Sequence, residues 1–333
     1  MNSASGGSSV NAENSSEAQL EDAFIEYVGG NNWSIVVGHQ DLGYTLERLT
    51  SSRFSTNMER NFADQAFGFN RTLGVGLMLA GESFGGWGGQ LFFNGDSAVN
   101  TDIASGEEEW SIRAHGYVTP INEPGKLAYI GATYRMRDSQ NGGASIRYRA
   151  RPETNVGDRG VDTNVLGDAS NLNSSDNLYS VEAAAVYGPV YAQGEYTFVE
   201  ADATRGTGAA RFDYSPEFSA WFLQAGWFIT GESRPYKGGK FDRVTPNAPV
   251  SEGGIGAWEL RARYDYVDVD DNGTARTVGG TTANWAVDGG TMDAWTVGVN
   301  WNPVKNVRFM GEYVKAEVSD RTIPTAALAA TTT

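Results

Sequence analysis

The sequence contains no cysteine, which excludes a disulfide framework and any thiolate metal site. Its two histidines, His39 and His115, stand isolated, so no zinc cluster is expected. No run of eighteen apolar residues occurs, which excludes membrane-spanning helices but leaves strand-built membrane proteins open. Positive charge is scarce: 25 Lys and Arg stand against 41 Asp and Glu, a formal net charge of −16. That balance argues against a nucleic-acid partner. Lysine is scarcer still, limited to Lys126, Lys237, Lys240, Lys305 and Lys315. Catalytic signatures are missing as well. There is no nucleophile elbow, P-loop or HExxH, and Gly74-Val75-Gly76 lacks the third glycine of a dinucleotide turn. No enzyme activity, cofactor or metal is expected.

What the chain does have is alternation. It carries 42 glycines and 12% aromatic residues, distributed over roughly thirteen alternating segments separated by Gly, Asn, Asp and Pro turns. The segments are Asp22–Val28, Trp33–His39, Thr72–Ala80, Trp87–Phe93, Trp110–Val118, Leu127–Arg137 and Ala144–Arg151. Leu178–Tyr187, Val190–Phe198, Ala220–Ile229, Ala257–Val267, Ala294–Trp301 and Val307–Val314 complete them. Most approach the ~9–11 residues with which a tilted strand crosses a membrane. In Ala257–Val267, Trp258, Leu260, Ala262, Tyr264 and Tyr266 oppose Glu259, Arg261, Arg263 and Asp265. One apolar and one charged face per strand is the signature of a transmembrane antiparallel β-barrel around a wet interior. Trp110, Trp227, Trp258, Trp295 and Trp301 could stack carbohydrate, but most fall on apolar faces, where interfacial aromatic girdles are expected.

The most pointed segment is Gly143–Pro152, with Arg147, Arg149 and Arg151 on one strand face and Ile146, Tyr148 and Ala150 on the other. Arginine on a lipid-facing midplane costs ~2–4 kcal/mol, so this column must face water. Read as a wall strand, it continues the inward faces of the two preceding strands, where Arg113, Arg135 and Arg137 lie. Guanidinium stays charged and forks to oxyanions, which makes these six residues candidates for an anion path. Neighbours ~7 Å apart repel by about 0.6 kcal/mol in water and about 2.4 kcal/mol at an effective dielectric of 20, which a hydrated pore tolerates. The alternative is purely structural pairing with lumenal carboxylates, Glu182 and Glu195 being the candidates. Arg261 and Arg263 are weaker candidates, because Glu259 and Asp265 flank them on the same face.

Connections alternate between short turns and long polar loops, Asn155–Asn177 and Asp268–Thr291 among the latter. Asp41–Asp64 lacks clean alternation and carries Arg48 and Arg60. It is expected to fold into the lumen and set the bore. Asp268–Gly273 matches the first half of a calcium loop, but Gly279 stands where a bidentate glutamate would be required. It reads as an acidic surface loop, with weak calcium binding left open. The division expected is a flexible polar tail over 1–20, a barrel over 21–318 and an Ala/Thr-rich tail over 319–333. The opening lacks a charged and an apolar leader region, so a processed, engineered or incomplete form is expected.

Ordered pieces along the chain resemble the phosphate-selective porin O and P family of Gram-negative outer membranes. They include Leu46-Glu47-Arg48-Leu49-Thr50-Ser51-Ser52, Met58-Glu59-Arg60 and Arg149-Ala150-Arg151-Pro152-Glu153. Further on stand Ala184-Ala185-Val186-Tyr187-Gly188-Pro189, Ile229-Thr230-Gly231-Glu232-Ser233-Arg234 and Gly256-Ala257-Trp258-Glu259-Leu260. Asp22–Tyr27, Gly298–Trp301 and Asn306-Val307-Arg308 extend the set over about 21–318. The resemblance implies a sixteen-stranded, homotrimeric porin in outer-membrane lipid with an arginine-lined path for small anions such as phosphate. It also implies that the family's first strands and its last strand are not in this chain. Two departures bear on the solute. Gln40-Asp41 stands where the family usually has a basic residue, and lysines are few. General passage of small anions is therefore the expectation, with phosphate preference open. The rival from another class is a secreted, soluble β-protein that binds acidic polysaccharide through an arginine-rich sheet face.

Overall fold

The computed structural model describes residues 22–30, 32–41, 43–68, 71–81, 86–95, 109–139, 146–154, 158–167, 174–205, 211–271, 276–278, 281–283 and 287–319. The tails read from the sequence lie outside these residues, except that Ser319 is the last residue of the final strand. The wall begins with strands β1 (Ala23–Val28), β2 (Trp33–Asp41), β3 (Arg71–Gly81), β4 (Trp87–Gly95), β5 (Glu109–Glu123) and β6 (Lys126–Ser139). Two short strands, β7 (Arg149–Ala150) and β8 (Val161–Asp162), follow and pair with each other away from the wall. The wall resumes with β9 (Ser174–Tyr187) and β10 (Val190–Arg205), then the short β11 (Phe212–Tyr214) and β12 (Glu217–Phe228). After the hairpin β13 (Tyr236–Lys237) and β14 (Lys240–Phe241) comes β15 (Ala257–Asp271). The hairpin β16 (Arg276–Val278) and β17 (Thr281–Ala283) precedes β18 (Val287–Val304) and β19 (Val307–Ser319).

The wall strands pair in the order β1-β2-β3-β4-β5-β6-β9-β10-β12-β15-β18-β19, each antiparallel to its sequence neighbour in the wall, and β11 pairs antiparallel with the end of β10. This all-β, antiparallel meander has the architecture of a porin wall. Among the described residues β1 and β19 are not paired to each other, so the sheet is open there. Tight turns need glycine where the backbone must go left-handed: Gly188 takes φ +56° between β9 and β10, and its Cβ position is open space.

The two faces are inverted relative to a soluble protein. Leu223, Leu260, Ile130, Val181, Val297 and Phe309 are exposed on the outer face. Glu182, Glu195, Gln224, Arg261, Arg263 and Thr296 are buried on the inner face. Exposed apolar contact of this extent is unfavourable in water and favourable in lipid. Aromatic rings band the outer face at two heights. Trp258 stacks on Trp301 at 5.3 Å and Trp301 on Phe309 at 5.4 Å, near the short turns. Six residues further along β15, about 20 Å at the strand rise, Tyr264 packs on Trp295 at 4.8 Å and on Trp221 at 5.3 Å. That separation is close to the ~25 Å apolar band of an outer-membrane barrel. No helix among the described residues is long and apolar enough to cross a membrane.

Three differences from the sequence reading matter. The segment 144–151 is not a wall strand: its described part, from Ile146, leaves the wall after β6 and folds inside the sheet. Ile146, Tyr148 and Ala150 are buried against the inner wall and face no lipid. Period-two alternation reports one apolar and one wet face, and cannot distinguish lipid from a lumenal core as the apolar neighbour. Second, the ladders extend beyond the apolar segments, because hydrogen bonding continues into the aqueous rim after the lipid-facing side chains end. Thus Asp268–Asp271 belongs to β15, with Asp270 opposite Asp288, and is no loop. Asn272 and Gly273 lie outside the described residues. Third, the connection between β12 and β15 lies on the short-turn rim yet is long, and it too turns inward.

Candidate channel lining

Three segments occupy the interior, and the sequence dictates how each is held. The first, residues 43–68, carries two short helices, α1 (Leu46–Leu49) and α2 (Phe62–Phe67). Thr45 and Asn61 cap them, accepting from the amides of Arg48 and Asp64. Helices this short have little intrinsic stability, so the wall must supply it. Glu182 on β9 accepts the Leu46 amide at 2.5 Å, together with Tyr129 Oη at 2.5 Å and a 2.9 Å contact to His115 Nε2. Glu182 is thus an anchor for α1 and not the partner of the arginine column. Glu195 likewise bonds Thr197, at 3.1 Å.

Wall arginines hold the same segment by its carbonyls. Arg135 Nη1 donates to Phe67 O at 2.7 Å, Arg263 Nη1 to Glu59 O at 3.0 Å and Arg308 Nη1 to Ser55 O at 2.6 Å. Arg261 bonds Asn57 Oδ1, Asn300 Oδ1 at 3.1 Å and Glu312 Oε2 at 2.8 Å. Gly298 leaves room for that side chain, since a Cβ there would sit 2.7 Å from the Arg261 guanidinium carbon. Arg263 also pairs with Glu153 and, at 2.5 Å, with Asp265. Arg135 and Arg137 share Asp176. Arg113, directly opposite Arg135 in the ladder, is buried with its guanidinium over the Phe92 ring at 5.2 Å.

The second segment, described over residues 146–154 and 158–167, closes on itself through Leu166 N to Ile146 O at 2.8 Å and Thr163 N to Tyr148 O at 2.9 Å. Its apolar side joins Phe62, Phe67, Leu178, Val199 and Phe218 in one lumenal core. Arg147, Arg149 and Arg151 occupy the opposite side and are partly exposed. Arg147 forks onto Asp162, with both bonds at 2.6 Å. Arg159 joins this cluster. Partial burial, then the neighbouring charges of Arg149 and Arg151, push its pKa down to about 10. The sequence reading missed Arg159, which the chain brings back to the column only through the β7–β8 pairing.

Arg48 and Arg60 sit on the inward face of the first segment, beside a cavity of about 700 Å³ between it and the β1–β5 side of the wall. Arg48 contacts Asp41 at 3.1 Å and Asp64 at 3.0 Å; Arg60 donates to Glu47 O, and to Thr50 O at 3.0 Å. Burial works against the Arg48 charge, but Asp64 and Asp41 outweigh it and hold its pKa above the usual range. Around this cavity Arg48, Arg60 and Lys240 face Asp22, Glu26 and Asp41, an even balance of sign. The third segment carries β13–β14, packs Phe241 into a cluster with Leu46, Tyr129 and Tyr191, and closes part of the short-turn mouth. No three or more His, Asp or Glu side chains converge on a metal-like site among the described residues.

A sheet with an apolar exterior, a polar interior and inward-folded connections defines a membrane channel of the porin class. The chain belongs to the phosphate-selective porin O and P family, whose signature matches residues 2–333. It is 30% identical over 333 residues to Porin O of Pseudomonas aeruginosa, an alignment covering 93% of this chain and 70% of that protein. It is also 30% identical over 299 residues to an uncharacterized protein of Caulobacter vibrioides, covering 89% of this chain and 56% of that protein. The chain therefore spans little more than half the length of the latter. Membership places it with the outer-membrane porins of Gram-negative bacteria.

Proposed function

We propose that this porin passes small anions by passive diffusion, and that the preference originates in the Arg147, Arg149, Arg151 and Arg159 cluster on the second inward segment. The supporting observation is a difference in exposure. The wall guanidiniums of Arg135, Arg137, Arg261 and Arg263 are buried and committed to carboxylates or inward carbonyls. In the inward cluster the guanidiniums of Arg147, Arg149, Arg151 and Arg159 stay partly exposed, and Arg147 forks onto Asp162. A concentrated, partly hydrated positive field lowers the barrier for an anion that sheds water on entry. Arg48 and Arg60 set the bore, and Arg113 adds positive field behind Phe92. Phosphate is one candidate solute by family description. Assembly as a homotrimer in outer-membrane lipid completes the proposal.

Reversal potentials in planar bilayers under a potassium chloride gradient test this reading. Chloride preference is expected; cation preference would overturn it. The polysaccharide-binding alternative predicts solubility without detergent, which the apolar exterior does not support.

A further inference from the structure

Arg263 on β15 is buried between two acids and can balance the charge of only one. Its guanidinium pairs with Glu153 of the second inward segment and, at 2.5 Å, with Asp265, and all three side chains are fully buried. The groups packed around them do not redress the balance. Arg261, also on β15, is matched by Glu312 of β19 at 2.8 Å. Glu47 of α1 adds negative potential, its carboxylate accepting from Gln193 at 3.3 Å. From α2 comes the Phe62 amide, 3.4 Å from Asp265 Oδ1, and from the same inward segment Glu59 O, which Arg263 Nη1 holds at 3.0 Å. The carboxyls of Glu47, Glu153, Asp265 and Glu312 thus face the guanidiniums of Arg261 and Arg263 alone. Two acids this deep do not both stay ionised on one arginine.

The two acids are arranged to share a proton. Glu153 Oε1 and Asp265 Oδ2 are both buried without a donor among the described residues, and the two carboxyl groups act on each other as a hydrogen-bonding pair. A carboxylic acid on Glu153 gives Asp265 that donor and leaves Arg263 one full negative charge to balance. Burial holds the Glu153 carboxyl well above the usual glutamate range, against the pull of Arg263 and with the push of Asp265 and Glu312. The backbone there is also unusual. Glu153 is left-handed, with φ +51°, a conformation that a residue with a Cβ keeps only where its surroundings fasten it.

We infer that Glu153 and Asp265 share one proton, and that this proton latches the end of the second inward segment to the wall. When the proton is lost to solvent, two carboxylates are left on one arginine and the Glu153 side chain turns out to water. The left-handed turn relaxes with it and carries Arg151, whose carbonyl accepts the Glu153 amide at 2.8 Å. Tyr148 on Asp176, with the packing of Ile146 and Ala150, keeps the rest of the segment in place, so the opening is local. A proton held more tightly in the folded protein stabilises it fully below the ordinary glutamate pKa. That stabilisation is lost as pH rises through the raised value. The latch is closed in acid and opens toward alkali. Its effect on current rests on the anion-channel reading, whereas the shared proton does not.

Infrared spectra of the detergent-solubilised porin test the proton, and chloride currents in planar bilayers test the latch. The carbonyl stretch of a protonated carboxylic acid should be present in wild type and vanish as pH rises through the Glu153 transition. Glu153→Gln and Asp265→Asn each leave a single acid on Arg263, so each should lose that band; acids common to both proteins cancel in the difference spectrum. Over the same pH range the wild-type current should pass from quiet to fluctuating, while both variants stay quiet throughout. Asp265→Asn carries the test if the Glu153 variant does not fold. An identical carboxylic acid band in wild type and variants would overturn the shared proton. A band that the variants lose, with the same pH course of fluctuation in all three proteins, would overturn the latch. A variant-sensitive band and fluctuation in a channel that prefers cations would keep the latch and overturn the selectivity reading instead.

Discussion

Arg135 on β6 and Asp176 on β9 form a two-point clamp across adjacent wall strands, Nη2–Oδ2 at 2.7 Å and Nε–Oδ1 at 3.2 Å. The same carboxylate takes Arg137 and Tyr148 Oη, the latter at 2.5 Å, while the same guanidinium holds Phe67 O at 2.7 Å. One buried acid on the wall therefore fastens two of the three inward segments, the first through Arg135 and the second through Tyr148. The wall arginines act as fasteners for what lies inside the barrel.

Asp176→Asn is expected to destabilise the folded porin by about 3–5 kcal/mol, because two buried guanidiniums lose their charged partner. Heat-modifiable mobility on gels reads this as a lower unfolding temperature. An unchanged midpoint would assign the clamp no energetic role.

Arg60→Ala removes the bonds to Glu47 O and Thr50 O that pin the turn between α1 and α2. The first inward segment should loosen toward the wall and the cavity beside it widen. Single-channel conductance is expected to rise, or to become noisy between levels. Conductance identical in size and noise to wild type would place the constriction elsewhere.

Much of the fold was legible in the sequence, and one feature was legible yet misplaced. Wall strands such as β15 announce themselves because lipid outside and polar contacts inside force strict alternation on Trp258 through Tyr266. Residues 146–151 alternate for a different reason, with Ile146, Tyr148 and Ala150 packed on the inner wall and the arginines turned to the lumen. The wetness of the arginine face was readable, but what lay behind it was not. Asp162 and Asp176 could not be matched to Arg147 and Arg135 from spacing, since those pairings depend on how a long connection folds back.

The orientation of the wall has a direct check at Leu260, exposed on the outer face between the two aromatic bands. Leu260→Arg should cost ~2–4 kcal/mol in the membrane and sharply reduce assembled porin in outer-membrane fractions. Thr296→Val, on the inner face and next to the outward Val297, should leave assembly near wild type. Equal yields for both variants would contradict lipid contact at Leu260.

Arg159 supplies a pH signature. A base whose pKa is lowered stays protonated below that value and loses its charge above it, so this guanidinium is positive at neutral pH and discharges as pH rises through about 10. Anion preference should therefore decline between pH 9 and 11 in wild type, by a step that Arg159→Gln removes. Tyrosine and lysine also titrate in that range, so the difference between the two proteins is the informative quantity. Parallel pH profiles would show that Arg159 does not contribute to the lumenal field.

The most direct measurement is the reversal potential of wild type and of the Arg149→Gln, Arg151→Gln double variant, in planar bilayers under a potassium chloride gradient at neutral pH. Both should form stable open channels, because Arg149 and Arg151 lie on the lumenal face and the packing of Ile146, Tyr148 and Ala150 is left intact. The account predicts chloride preference in wild type and a reversal potential shifted toward zero in the double variant. Cation preference in wild type, or the same anion preference with both arginines neutralised, would contradict it.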